Sequence, residues 1–203
     1  MPTPDQILAE LRTIANQAQS IAAIWHILVF MALVGLVSGW RPSRRFVAAT
    51  LVPPVLSVAV MASLHGNLFN GTMFTALAIT LTVLGFRMPP IAARLSPRWA
   101  LYLGIGTAAF GLAYPHFLQA GSLLGYLYAA PMGLIPCPTL AFAIGLALIV
   151  DGVGSRAWAL ILAVTGLCYG AFGVARLGVA LDLGLILGAA GLLVRGVQLP
   201  RTS

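Results

Sequence analysis

The sequence predicts an all-α, polytopic transmembrane helical bundle of about seven spans. Three observations carry this. Hydrophobic residues make up 60% of the 203 residues, and mean hydropathy is +1.00. Charged residues are only 7%, against the roughly 25% that a water-covered surface carries. The apolar residues also fall in long runs separated by Arg, Pro and Gly, as membrane spans and their turns do. A chain of this composition belongs in a lipid bilayer, and a bacterial inner (cytoplasmic) membrane is the expected location.

Residues 1–19 form the first unit and 20–203 a single transmembrane domain. Thr3-Pro4-Asp5-Gln6 is a helix start: Thr3 caps, Pro4 suits the first helical position, and Gln6 completes a capping box. Ile7, Leu11, Ile14, Ala18 and Ile21 then share one face. That face suits the membrane surface, a docked position on the bundle, or a plain extension of the first span. Residues 1–19 lack the basic and apolar regions of a cleavable signal, so none is expected.

The spans follow in order. Span one is Ser20–Gly39, carrying His26 and closing at Trp40-Arg41. Span two is about Phe46–Leu64, where Pro53-Pro54 predicts a kink. His65-Gly66-Asn67 is a tight turn into span three, about Leu68–Phe86, with Asn70 in its first turn. Pro89, Pro90 and Pro97 keep the following loop non-helical. Span four runs from Trp99 to about Tyr114, and Pro115 ends or bends it. Span five begins at Pro138 and reaches Val150; span six is about Ala157–Gly173. Span seven ends near Leu193 and begins between Leu177 and Gly184. Gly166/Gly170 and Gly184/Gly188 have small-xxx-small spacing, which predicts that spans six and seven pack closely as a hairpin.

Between spans four and five lies the stretch that organises the rest, Tyr114 to Thr139. It contains no charged residue, yet is broken by Gly121, Gly125, Pro131, Gly133 and Pro136. Such a segment cannot be one clean helix, and irregular backbone cannot face lipid. It is expected to fold back on the bundle as a structured or re-entrant element.

All eleven basic residues are arginines. Arg41, Arg44 and Arg45 follow span one; Arg87, Arg94 and Arg98 follow span three; Arg156 follows span five; Arg195 and Arg201 follow span seven. The positive-inside rule then puts the N-terminus outside and the C-terminus in the cytoplasm, with Trp40, Trp99 and Trp158 at the inner boundary. The net charge of +7 is thereby accounted for by the loops, with no basic face for nucleic acid. The lipid bilayer is the expected partner, along with a membrane-complex partner or a second copy.

That sidedness gathers His65, Asn67, Asn70, Tyr114, His116, Cys137, Thr139 and Asp182 on the external side, as an outward pocket roofed by the organising stretch. Several chemistries suit these residue types. His65, His116 and Cys137 are ligand types for zinc or copper. His26 and His116 are a candidate haem pair. Cys137 or a serine would need a base and a carboxylate for nucleophilic catalysis, and only a His116–Asp182 pair is at hand, so an enzyme is not the expected reading. Arg176 is a structural partner for Asp182. No cofactor is assigned. The function expected is the handling of a small solute or ion through the external pocket; the alternatives are a non-catalytic subunit of a membrane complex and a metal- or haem-binding membrane protein.

Tyr114-Pro115, Pro136-Cys137-Pro138-Thr139, Gly145-Leu146 and Asp182-Leu183-Gly184 together resemble a family of small prokaryotic polytopic membrane proteins without an assigned activity. Pro-Cys-Pro-Thr opening a helix is the most distinctive piece, and the similarity covers most of the chain. This sequence departs in its longer, more apolar stretch before Pro136. The resemblance implies an all-helical membrane fold and carries over no catalytic residue.

Overall fold

A computed structural model describes residues 3–119 and 124–200. Gly121 lies outside the described residues. The described chain is all-helical: α1 (Pro4–Gln17), α2 (Gln19–Val37), α3 (Arg44–Leu64), α4 (Leu68–Phe86), α5 (Arg98–Leu112), a short α6 (Gly125–Tyr128), α7 (Pro136–Ile149), α8 (Arg156–Leu177) and α9 (Asp182–Gln198). Four of them, α2, α3, α4 and α8, are long and apolar enough to cross a membrane.

α1 starts as its sequence predicts. Thr3 accepts from the Gln6 amide and the Gln6 side chain accepts from the Thr3 amide, so both halves of the capping box are made. The helix docks on the bundle: Leu11, Ile14 and Ala15 are buried against Tyr114, Phe117, Leu134, Ile135 and Val179. Non-helical backbone at Ala18 (φ −110°, ψ 28°) separates α1 from α2, so α1 is no straight extension.

α3 continues as one helix through Pro53 and Pro54. These two have no N–H, so the carbonyls of Ala49 and Thr50 lose their usual helical donors. α4 follows through a turn in which Asn67 caps the Asn70 amide. α7 begins at Pro136 rather than Pro138, since proline is well placed in the first turn.

α7 is the centre. Nearly all of its side chains are buried, and α3, α5, α8 and α9 pack around it. At 14 residues it rises only about 21 Å, short of the roughly 30 Å of bilayer hydrocarbon. In the segment before it, residues 129–136 are all buried although non-helical up to Ile135. Irregular backbone is tolerated there because protein, not lipid, surrounds it. Thr139 holds this segment, its hydroxyl accepting from the Gly133 amide at 2.8 Å and donating to the Ile135 carbonyl at 2.7 Å.

Glycines set the close contacts. A Cβ on Gly145 would strike the Ala108 backbone, and one on Gly104 or Gly111 would strike the α7 backbone, so α5 and α7 meet main chain to main chain. The predicted hairpin of spans six and seven exists as α8 and α9. Gly170 faces α9 across it and Gly166 faces both α9 and Ile144 of α7, but Gly184 and Gly188 face Phe110 and Thr107 on α5. The sequence pattern gave the right helix pair and assigned one glycine pair to the wrong neighbour.

The loops gather at two ends. Arg41 to Arg45, the 87–98 loop, residues 150–156 and the C-terminal turn of α9 lie together. Arg44 and Ala93 exchange backbone bonds with Ile91 and Pro42, the Ser96 amide donates to Ile149, and Arg195 pairs with Asp151. The opposite end carries the turns after α3 and α5, the buried segment before α7, the start of α9, and α1.

Candidate functional site

Asp182 is the first residue of α9 and is only 1% exposed. Tyr114, in the turn past the end of α5, donates its hydroxyl to Asp182 Oδ1 at 2.7 Å. Cys137, in the first turn of α7, donates its thiol to Oδ2 at 3.2 Å. The carboxyl therefore ties together the ends of three helices that converge at the polar end. The fourth wall is Gly173 on α8, where any Cβ would collide with Asp182 Oδ2. Phe110 and Phe117 flank the Tyr114 ring at 5.2 and 6.0 Å. Above this centre sits α1, stapled by Asn16, whose amide donates to the Phe117 carbonyl at 3.0 Å and accepts from the Gln119 amide at 2.9 Å.

The other sequence candidates lie at this end but do not all join the centre. Asn70 accepts a hydrogen bond from Tyr169 of α8 at 2.9 Å, and Asn67 caps α4. Thr139 clips the segment before α7. His65 turns Nδ1 to the Met61 carbonyl of its own helix. His116 packs edge-on against Phe117, and no hydrogen bond joins it to Asp182.

Three expectations are corrected. Arg176 does not pair with Asp182; both carboxylate oxygens are taken by Tyr114 and Cys137, and among the described residues the ion pair is Arg195–Asp151. His65, His116 and Cys137 do not converge, for among the described residues no three His, Cys, Asp or Glu side chains could hold a metal ion. The Cys137 sulfur also acts as a donor here, whereas metal ligation and nucleophilic attack need the thiolate. His26 and His116 are not a haem pair, because both ring nitrogens of His26 face carbonyl oxygens, Ala22 at 2.8 Å and Leu112 at 2.9 Å. His26 instead holds α2 to the end of α5, an interhelical role for a half-buried imidazole.

Tyr169, Gly173 and the α1 cover were missed in the sequence. Tyr169 and Gly173 sit among ordinary span residues, and nothing local distinguishes them. The α1 face was visible as a stripe, but its target was not.

No family model, curated protein or solved structure matches this chain.

Proposed function

We propose that the chain is a multi-pass protein of the bacterial inner membrane, with α2, α3, α4, α5, α7, α8 and α9 as seven spans, the N-terminus outside and the C-terminus in the cytoplasm. Kinship with the Pro-Cys-Pro-Thr membrane family is part of this reading. The protein handles a small solute or ion from the external side, and Asp182 is the group that handles it. The observation that carries this is a carboxyl 1% exposed, bridging three helix ends through two side-chain donors. Intramembrane acids are costly and mark ion or proton paths more often than scaffolding. Access requires α1 to lift, since its apolar face covers Tyr114 and Phe117.

The test is flux in proteoliposomes, read by an interior pH dye and by light scattering on osmotic challenge with small neutral solutes. Wild type is expected to exceed empty vesicles, with Asp182→Asn at least about tenfold slower. Equal flux for wild type and Asp182→Asn removes Asp182 from the function.

One observation favours a second reading, a subunit of a membrane complex. On α2 only Ala22 is buried, while Phe30, Met31 and Val37 are 66%, 63% and 90% exposed. Recovery of the solubilised chain at constant stoichiometry with a second membrane protein, cross-linked through α2, would support it over transport.

A further inference from the structure

At the arginine end, α3 and α4 leave a groove of about 150 Å³ along their seam. Its walls are apolar: Ala48, Ala49, Val52 and Pro53 on α3, and Leu81, Gly85 and Phe86 on α4, with Thr82 beside them. It exists because small residues meet there; Gly85 lies directly against the Ala48 methyl. From Arg45 to Pro53 the groove runs roughly 12 Å along the helix axis. That is close to the depth of one leaflet, half of a roughly 30 Å hydrocarbon layer.

Its mouth is charged. Arg45 lines the groove, and its Nε and Nη2 donate to the Met88 carbonyl at 3.2 and 3.0 Å. The guanidinium is thus fixed in place with three N–H groups to spare. Arg87 follows Phe86 as the C-cap of α4, and Arg41, Arg44 and Arg94 belong to the same end. The carboxylate at this end, Asp151, is bound to Arg195. The Nε of Arg44, whose guanidinium lies against Gly154, is buried without a hydrogen-bond partner.

We propose that this seam is a binding site for an anionic phospholipid. One acyl chain lies in the α3–α4 groove, and the phosphate is held by Arg45. The charge complementarity selects the anionic headgroup, and the apolar walls require the attached chain. This site is separate from the Asp182 centre at the opposite end and does not depend on it.

The experiment is native mass spectrometry of the purified full chain in neutral detergent, titrated with dioleoyl phosphatidylglycerol, dioleoyl phosphatidylcholine or glycerol 3-phosphate. Wild type is expected to bind the glycerol lipid about fivefold more tightly than the choline lipid, the scale of one arginine at a membrane surface. Arg45→Gln should bring the two lipids level. Ala49→Phe, an exposed position whose ring fills the groove, should weaken phosphatidylglycerol with the arginines intact, and Thr82→Phe does the same from the other wall. Glycerol 3-phosphate should show no binding at the same concentrations. Equal affinity for both lipids in wild type overturns the proposal. So does a preference that survives both Arg45→Gln and the groove-filling variants, or glycerol 3-phosphate binding as well as the lipid.

Discussion

Removing the hydroxyl of Tyr114 tests whether the Asp182 centre holds the polar end together. Tyr114→Phe keeps the ring against Phe110 and Phe117 and deletes only the donor to Asp182 Oδ1. The site is dry, with Tyr114 0% and Asp182 1% exposed, so water does not replace the lost bond. A hydrogen bond to a charged acceptor contributes about 1.5–3 kcal/mol, whereas neutral interhelical bonds in membranes average about 0.6 kcal/mol. The expected loss, between these two figures, is about 2 kcal/mol. For a chain of this size that lowers Tm by about 4–8 °C. Asp182→Asn keeps the shape but places an amide among two donors, and it should cost at least as much. The assay is unfolding in detergent of wild type, both single variants and Tyr114→Phe/Asp182→Asn. A coupling energy of about 1–2 kcal/mol is expected. Coupling below about 0.3 kcal/mol, the level of independent sites, refutes the centre as a working contact.

Thr139→Val should destabilise by about 1–3 kcal/mol by orphaning the buried Gly133 amide, while Thr139→Ser stays near wild type in the same unfolding assay. Gly145→Ala is expected to prevent folding, because its Cβ meets unyielding Ala108 backbone; Gly85→Ala meets one methyl at 3.2 Å and should yield well-folded protein by size exclusion. Val153 has φ 57° although β-branched, yet is fully buried. Val153→Gly relieves strain of about 1–3 kcal/mol while losing comparable packing, so it should be less harmful than Val153→Ala, reversing the usual order. In a Cys168→Ser background, Asn16→Ala should raise the alkylation rate of Cys137 several-fold by loosening α1; an unchanged rate would show that α1 does not control access.

Much of the fold was legible because its signals are local. The Thr3–Gln6 capping box, the turn at His65 to Asn67, and the limits of α4 need only nearby residues and hydropathy. The break between Tyr114 and Thr139 was legible for the same reason, since Pro and Gly act on their own backbone. The candidate centre was half legible. Tyr114, Cys137 and Asp182 stood out as polar groups at span ends, but so did His65, Asn67 and Thr139, and these make bonds within their own helices and turns.

By itself the sequence determined that the chain is helical and apolar, the limits of α4 and the start of α1, and that its arginines cluster between alternate apolar stretches. Each of those follows from short-range chemistry or from composition. Tertiary structure alone decided that α7 sits at the centre, that Gly173 makes room for the Asp182 carboxyl, and that Asp182 takes Tyr114 and Cys137 in place of Arg176. Those choices depend on which helix faces approach, and in a chain so uniformly apolar many facings share the same pattern; close packing at particular glycines selects among them.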